Sequence, residues 1–199
     1  MTAPARLAVL LSGSGRTLVN LNESIKTKKL SATIEVVIAS RECLGAERAR
    51  QAGLKTLIMP GAIPAATLAA TLDANHIDWV ILAGYLKLIN IPPRYAGRIV
   101  NIHPSLLPNF GGPGMYGHHV HEAVLESGAK TSGCTVHLVT PEYDRGPILL
   151  QKSCPVLPSD TPDTLAARVF ALECQAYPEA LERLITQGVP PTTPPEPRR

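Results

Sequence analysis

The residues best suited to acid–base chemistry stand at the end of a predicted strand, in the stretch VNIHPSLLPNFGG of residues 100–112. Asn101 and His103 occupy positions there where apolar residues are expected, and two prolines frame a leucine pair directly afterwards. An imidazole exchanges a proton near neutral pH, and an amide N–H group can donate to a developing oxyanion. These two side chains are therefore suited to attack on a carbonyl group.

A carboxylate completes this set at Asp144, in the predicted turn TPEYDRG. A carboxylate beside an imidazole raises the pKa of the ring and fixes its orientation. The nearest hydroxyl, Ser105, lies in a turn between prolines, so the set favours direct attack by a substrate amine over a covalent acyl-enzyme. A lone strand-end histidine is more often structural and an aspartate in a turn often only forms the turn, so these residues alone define a candidate site.

A second motif, SGSGRT at residues 12–17, follows a buried apolar run and opens a helix. Free backbone N–H groups at such a position favour a phosphate, and glycine lets a ligand approach the backbone closely. A dinucleotide fingerprint would need a glycine at Leu18 and an acidic residue closing the second strand, where ASR stands. The P-loop pattern is absent as well, so the turn suits a monophosphate, with an ordinary tight turn as the alternative.

Strands and helices alternate along the first half of the chain, which indicates a parallel sheet with helices on both faces. The predicted strands are residues 6–12, 34–40, 55–59, 78–84 and 98–103, and the predicted helices are residues 17–28, 44–53 and 65–75. Ligands of such sheets bind beyond the carboxyl ends of the strands. We therefore expect the glycine-rich turn and the Asn101–His103 pair to open onto one crevice.

The second half has a different pattern. Residues 133–139 and 147–156 predict an antiparallel pair, and a long helix begins at Thr161, the predicted N-cap, and Pro162. Pro178 is expected to break or kink that helix. The predicted fold class is α/β, a mostly parallel doubly wound sheet with an antiparallel hairpin and a long helix in the C-terminal half.

Composition limits the classes of partner. The 199 residues carry a net charge of +3 and only 4% aromatic residues, which does not favour nucleic acid. There is no apolar stretch of membrane-spanning length and no export signal, and the four cysteines lack C-x-x-C spacing. We expect a cytoplasmic protein with reduced thiols. The histidine-rich residues 118–121 are predicted to start a solvated helix rather than to bind a metal.

The segments LLSGSGRTL, VVIASRECLGAERARQAG, VILAGYLKLI, NIHPSLLPNFGG, GCTVHLV and EYDRGPILLQ together resemble the glycinamide ribonucleotide formyltransferases, a family of folate-dependent enzymes. This family moves a formyl group from 10-formyltetrahydrofolate to the amine of phosphoribosylglycinamide in purine biosynthesis. The resemblance implies a Rossmann-like formyltransferase fold and small-molecule substrates. It also implies no metal, no nucleic-acid or membrane partner, and a monomer or homodimer.

The resemblance also assigns residues by motif. His103 would be the proton donor and oxyanion partner, Asn101 would polarise the formyl oxygen, and Asp144 would keep His103 protonated. The residues aligned with the ribotide and phosphate site are Gly13, Gly15, Arg16, Thr17 and Glu173. The residues aligned with the folate site are Leu86, Lys87, Leu88, Ile89, Asn101, Thr140, Pro141, Glu142, Tyr143 and Asp144.

The same resemblance predicts a single formyltransferase domain over residues 1–189. Its ribotide-binding half is expected at about residues 1–100 and its folate-binding and catalytic half at about residues 101–189. Residues 190–199 form a proline-rich tail that we expect to be disordered. Two departures from the family pattern are the absence of a basic residue in PGAIPAATLA and the long glycine-rich segment GGPGMYGHH.

Two other functions fit the same residues. A related folate-dependent N-formyltransferase could act on an amino-sugar nucleotide, although the SGSGRTL turn favours the ribotide. A non-catalytic folate- or nucleotide-binding protein would keep the site without turnover, although the presence of all three polar residues argues against it. Turnover of glycinamide ribotide separates the three.

Overall fold

The computed structural model describes residues 3–188, so the predicted tail at residues 190–199 lies outside the described part of the chain. Within it the strands are β1 (Ala5–Leu11), β2 (Ala32–Ala39), β3 (Thr56–Ile58), β4 (Trp79–Leu82), β5 (Ile99–His103), β6 (Thr131–Leu138) and β7 (Ile148–Pro155). The helices are α1 (Arg16–Lys26), α2 (Leu44–Gln51), α3 (Ala65–Ala74), α4 (His118–Glu126) and α5 (Pro162–Gln187). The predicted elements are all present, with ends that differ by at most two residues apart from the C-terminal end of the long helix.

The strands form one sheet in the order β3-β2-β1-β4-β5-β6-β7. β1 to β5 run parallel, whereas β6 is antiparallel to both β5 and β7. The predicted fold class, a mostly parallel doubly wound sheet with an antiparallel hairpin and a long C-terminal helix, is confirmed. The central strand β1 is fully buried from Leu7 to Leu11, as expected of a parallel strand covered on both faces.

The core is divided between the two faces of this sheet. Leu7, Val9 and Leu11 of β1 pack with buried residues of α1, α2, α4 and α5. Ala8 and Leu10 face the other way and pack with α3. This division follows from the period-two alternation of side chains along a strand.

The strand order reverses between β1 and β4, which creates a crevice at their carboxyl ends. Ser12, directly after β1, joins the elements that meet there. Its backbone N–H donates to the Gly84 carbonyl at 3.0 Å, and its hydroxyl accepts from the Leu86 N–H at 3.0 Å and contacts the Ser40 hydroxyl at 2.8 Å. The turn after β1 is thereby fixed to the loop after β4.

Helix α5 begins as predicted but does not break at Pro178. The Thr161 hydroxyl accepts from the Thr164 N–H at 3.3 Å and the Thr164 hydroxyl accepts from the Thr161 N–H at 2.9 Å, which is a capping box, with Pro162 at the first helical position. The helix runs on through Pro178 to Gln187, so of the predicted break or kink the break is wrong. Pro178 is buried, and packing of the residues around it against the sheet holds the helix together despite the lost hydrogen bond.

One side chain of α5 reaches into the sheet itself. Tyr177 is fully buried, and its hydroxyl lies 3.0 Å from both the Leu82 carbonyl of β4 and the Val100 carbonyl of β5. A buried hydroxyl needs a partner, and here it has two acceptors on neighbouring strands. The contact joins α5 to the strand that carries Asn101 and His103.

Candidate active site

The structure brings Asn101, His103 and Asp144 together at the carboxyl end of β5. His103 Nδ1 lies 3.6 Å from Asp144 Oδ2, and the two side chains are only 4% and 11% exposed. Asn101 and His103 are two residues apart on β5, so their side chains leave the strand on the same side. Residues about 40 positions apart in sequence thus form one polar cluster, because the turn after β6 returns Asp144 to the end of β5.

The imidazole of His103 contacts a partner at each ring nitrogen. Nε2 lies 2.7 Å from the Phe110 carbonyl, which can only accept, so Nε2 carries a proton. Burial lowers the pKa of His103 below its ordinary value, and the charge of Asp144 and the Phe110 carbonyl only partly oppose this. The carboxylate acts in the predicted direction, although desolvation is the larger effect in the ligand-free protein. That Asp144 keeps His103 protonated during a reaction stays a prediction.

Asp144 is fixed by its own contacts. Its backbone has a φ of 54°, and Oδ2 accepts a 2.8 Å hydrogen bond from the Gly112 N–H. Burial alone would raise the pKa of Asp144, but the His137 contact, the charge of His103 and the Gly112 N–H together lower it. The carboxyl group is therefore ionised at neutral pH and faces two imidazoles.

His137, on β6, was not identified from the sequence. It lies opposite Asn101 in the β5–β6 register, with Nε2 3.2 Å from Asn101 Nδ2 and 3.5 Å from Asp144 Oδ1. Its Nδ1 lies 2.9 Å from the Leu138 carbonyl and must donate, so in the neutral ring Nε2 accepts from the Asn101 amide. One Asn101 N–H is then held by His137 and the other is free for a ligand. Only the strand pairing reveals this contact, because TVHLV by itself reads as an ordinary strand.

The PSLLP segment after β5 is held by side chains as well as by its prolines. The buried Ser105 hydroxyl donates to the Asn109 carbonyl at 2.7 Å, and the Thr135 hydroxyl donates to the Ser105 carbonyl at 2.6 Å. The Leu107 N–H donates to the Thr135 hydroxyl at 3.0 Å, and Gln151 Nε2 donates to the Leu107 carbonyl at 2.9 Å. Ser105 therefore shapes the turn that presents the Phe110 carbonyl to His103.

A crevice of about 330 Å³ opens above this cluster. A smaller pocket of about 250 Å³ lies at the glycine-rich turn, and the two share Thr17, Gly84 and Glu173 in their walls. The expectation that the turn and the strand end open onto one crevice is thus confirmed. The smaller pocket contains all the residues aligned with the ribotide site, namely Gly13, Gly15, Arg16, Thr17 and Glu173.

The residues aligned with the folate site are divided by the structure. The crevice wall contains Leu86, Asn101, Tyr143 and Asp144. The wall does not contain Lys87, Leu88, Ile89, Thr140, Pro141 or Glu142. Ile89 packs in the core on the α3 face, because it is the residue of its loop that turns inward. The wall also contains Tyr85, which was not predicted, and Pro113, Gly114, Met115 and Tyr116 of the glycine-rich segment that departs from the family pattern.

The glycine-rich turn packs closely against the start of α2. Gly15, the N-cap of α1, has a φ of 73°, and a Cβ there would lie 2.5 Å from the Gly45 Cα. No side chain caps α1, so its first N–H groups remain available at the smaller pocket. Such an arrangement favours an anion.

Glu173 of α5 faces the junction of the two cavities. Burial raises its pKa to about 7, and the charge of Arg16 opposes the rise. The carboxyl group is therefore close to half-ionised at neutral pH and can donate or accept a hydrogen bond. Such a group suits the hydroxyls of a sugar.

The histidines of α4 only partly match the prediction of a solvated helix start. His118 and His119 are exposed, but His121 points into the protein and is 5% exposed. Helical periodicity places it on the same buried face as Val120 and Val124. Burial, followed by the charges of His118 and His103, lowers the pKa of His121 to about 4. Across residues 3–188 there is no group of three or more His, Cys, Asp or Glu placed to hold a metal ion.

Comparison with known proteins places these features in a family context. The sequence profile of the formyl transferases matches residues 5–181. A chloroplastic phosphoribosylglycinamide formyltransferase of Vigna unguiculata is 42% identical over 193 residues, which cover 92% of this chain and 62% of that protein. The phosphoribosylglycinamide formyltransferase of Escherichia coli (strain K12) is 38% identical over 181 residues, which cover 86% of this chain and 83% of that protein.

A solved structure agrees with the sequence comparisons. Glycinamide ribonucleotide transformylase 1 from Symbiobacterium toebii superposes with a TM-score of 0.86 at 40% identity, and the match covers 94% of this chain and 90% of that one. The chain spans less than two thirds of the length of the Vigna relative. Among the described residues, the helices are too short or too polar to cross a membrane.

Proposed function

The chain belongs to the formyl transferase family, and from this membership we propose that it transfers the formyl group of 10-formyltetrahydrofolate to the amino group of N1-(5-phosphoribosyl)glycinamide. The observation that carries the proposal is that two cavities adjoin: an amide, an imidazole and a carboxylate line one, and a helix start suited to phosphate lines the other. The enzyme would act in purine biosynthesis. The relatives are named for formyl transfer to phosphoribosylglycinamide, a phosphorylated substrate that suits the smaller pocket.

The catalytic set in this proposal is Asn101, His103 and Asp144. The substrate amine attacks the formyl carbon, and the carbonyl oxygen gains the negative charge. The Asn101 N–H that His137 leaves free and a protonated His103 donate to that oxygen. The amine then loses a proton, the folate nitrogen gains one, and the bond between this nitrogen and the formyl carbon breaks. The formylated ribotide and tetrahydrofolate are the products.

His103 must change partners in this reaction. In the ligand-free protein its Nε2 proton is directed to the Phe110 carbonyl rather than to the crevice. Asp144, ionised and 3.6 Å from Nδ1, stabilises the imidazolium once the ring turns toward substrate. The Gly112 N–H keeps the carboxylate in place from the other side.

Substrate binding follows the two cavities. We assign the ribotide to Gly13, Gly15, Arg16, Thr17 and Glu173, with the phosphate at the N-terminus of α1. We assign the folate to the crevice, with Leu86, Asn101, Tyr143 and Asp144 as its walls and with Lys87, Leu88, Ile89, Thr140, Pro141 and Glu142 as the flanking segments. In this assignment the ribotide half is about residues 1–100 and the folate and catalytic half is about residues 101–189 of one domain.

The cellular setting completes the proposal. The substrates are small molecules, and no metal enters the reaction as proposed. The four cysteines at positions 43, 134, 154 and 174 are all free thiols, which supports a reducing compartment. We propose the cytoplasm, although two plant relatives are chloroplastic, and a monomer or homodimer.

The test is an assay of the purified protein with 10-formyltetrahydrofolate as donor. Glycinamide ribotide should be formylated, and EDTA should leave the rate unchanged. A clear preference for an amino-sugar nucleotide would move the protein to the alternative class of N-formyltransferase. Binding of both ligands without turnover would identify a non-catalytic binding protein.

A further inference from the structure

Three arginines surround the glycine-rich turn, and they differ in what their guanidinium groups contact. Arg41 Nε donates to the Ser12 carbonyl at 3.1 Å, and Arg48 Nη1 donates to the Ser14 carbonyl at 2.8 Å. Both therefore hold the backbone of the turn. Arg16, within residues 3–188, donates no hydrogen bond and forms no ion pair.

The guanidinium of Arg16 is held instead by an aromatic ring. Its Cζ lies 3.6 Å from the centroid of the Phe170 ring, which is a close cation–π contact. Both residues line the smaller pocket. Stacking uses the face of the guanidinium, so the N–H groups at its edge stay available for hydrogen bonds.

The other charged group of this pocket cannot satisfy Arg16 fully. Glu173 follows Phe170 by one turn of α5 and lies in the same wall, yet it forms no hydrogen bond with Arg16. The two groups are close enough for Arg16 to lower the pKa of the carboxyl, but burial still raises it to about 7. A cation with free donors therefore faces a cavity next to the uncapped start of α1.

An aromatic platform has a different consequence from a carboxylate partner. A carboxylate would occupy the N–H groups and neutralise the charge, so that an incoming anion would have to displace it. The Phe170 ring fixes the position of the guanidinium and leaves its charge and donors to the ligand. Arg16 is thereby oriented before binding, which reduces the entropy that a flexible side chain loses when it binds.

We propose that Phe170 is the positioning residue for Arg16: its ring holds the guanidinium at the wall of the smaller pocket and leaves the N–H groups free to donate to the phosphate of the ribosyl substrate. This inference rests on the proposed function for the identity of the substrate. The binding of a sugar phosphate can nevertheless be measured without formyl transfer. An experiment can therefore contradict this inference without contradicting the proposed function, and the reverse.

The experiment is calorimetric titration of the folded protein with ribose 5-phosphate and with ribose. Arg16→Met should weaken ribose 5-phosphate binding by about tenfold to a hundredfold, the usual size of a charge-assisted hydrogen bond. Phe170→Leu should weaken it by about two- to tenfold, in line with a cation–π contact, and Phe170→Tyr should restore it. Binding of ribose should change in none of these variants.

The matched control is Arg50→Met, which removes the same charge from α2 at a guanidinium that contacts Glu42 and neither the turn nor the smaller pocket. Its affinity for ribose 5-phosphate should stay within about twofold of the wild type, because exposed charges act weakly over distance. An equal loss in Arg50→Met and Arg16→Met would overturn the inference in favour of a general effect of net charge. Unchanged binding in Arg16→Met would overturn it directly.

Steady-state kinetics provides the second readout. In Arg16→Met and Phe170→Leu the KM for glycinamide ribotide should rise while kcat and the KM for 10-formyltetrahydrofolate stay constant, because the contact is remote from the reacting atoms. A fall in kcat with unchanged KM would contradict a role in binding. If the wild type binds ribose 5-phosphate through Arg16 but does not formylate the ribotide, the proposed function fails and the inference stands.

Discussion

His103 lies between two acceptors, a backbone carbonyl at Nε2 and a carboxylate at Nδ1. An imidazole in this position is stabilised in its charged form by both, yet burial works against the charge and prevails. The protonation state of His103 is therefore the property of this site that a substitution nearby changes most readily. The charge of Asp144 opposes the effect of burial on the pKa of His103. A substitution that removes this carboxylate must therefore lower the pKa of His103 further.

The first prediction concerns this pair. His103→Ala should lower kcat by about two to four orders of magnitude, the range for a positioned acid–base group. Asp144→Asn should also reduce kcat severely and should shift the pH profile of kcat/KM toward lower pH, because the imidazolium loses its counter-charge. Rate measurements across the pH range for both single variants and the double variant give the comparison.

The double variant discriminates between coupled and independent action. Residues that work as a unit give non-additive losses, so the double variant should be little slower than the slower single variant. Full additivity, together with an unshifted profile in Asp144→Asn, would mean that the carboxylate acts without the imidazole. A thermal melt of each variant serves as the control for folding.

Sequence information was sufficient for the polar triad but not for its supports. Asn101 and His103 were identifiable because polar side chains at the end of an apolar strand are unusual, and Asp144 because the family resemblance covers its turn. His137 and Phe170 were missed, since a histidine in a strand and a phenylalanine in a helix have no distinctive local pattern. Their roles arise from strand register and from helix packing, which join residues distant in sequence.

At the scale of elements, the turn between β1 and α1 combines two demands on glycine. Gly15 needs its left-handed backbone and has no room for a Cβ beside Gly45, so it serves the packing of α1 on α2. A Cβ on Gly13 would meet no atom within 4 Å, although Gly13 lines the smaller pocket. Gly15 therefore has a structural role in addition to its place in the pocket wall, whereas a substitution at Gly13 tests the ligand-related role alone.

The second prediction uses this pair. Gly13→Ala should leave the melting temperature unchanged and raise the KM for the ribotide by about tenfold, which corresponds to about 1.4 kcal/mol of binding free energy. Gly15→Ala should lower the free energy of unfolding by about 1–3 kcal/mol, because it adds left-handed strain and a clash with Gly45. Equal increases in both substrates' KM in Gly13→Ala would show that the turn is not the phosphate site.

The elements themselves followed closely from apolar periodicity, and the discrepancies have physical causes. The start of β6 at Thr131 was missed because polar residues precede its apolar run. The continuity of α5 through Pro178 was missed because the cost of an internal proline is local, whereas the packing that offsets it comes from the sheet.

At the scale of the whole molecule, protonation of Glu173, a residue of the proposed ribotide site, also affects the free energy of unfolding. Its carboxyl has a pKa of about 7 in the folded protein against an ordinary value of 4.5. The folded state therefore binds this proton more tightly than the unfolded state does. The stabilising contribution is fully present below pH 4.5 and is lost as the pH rises through about 7.

The third prediction follows from that sign. Between about pH 5 and about pH 8 the free energy of unfolding of the wild type should fall relative to that of Glu173→Gln, by at most about 3 kcal/mol. The amide does not titrate, so subtraction of the variant curve removes the contributions of Asp144 and His121. Urea unfolding at several pH values provides the measurement, and parallel curves for the two proteins would refute it.

The position of helix α5 late in the chain has a consequence for protein synthesis. Helix α5 is the last helix described, yet it brings Phe170 and Glu173 to the turn after β1 and the Tyr177 hydroxyl to β4 and β5. A nascent chain can pair its early strands on the ribosome, but the ligand-binding edge stays incomplete until α5 has emerged. Substrate therefore cannot stabilise a partly synthesised chain, and the apolar face of the sheet that α5 covers is the surface for a chaperone to protect in the interval.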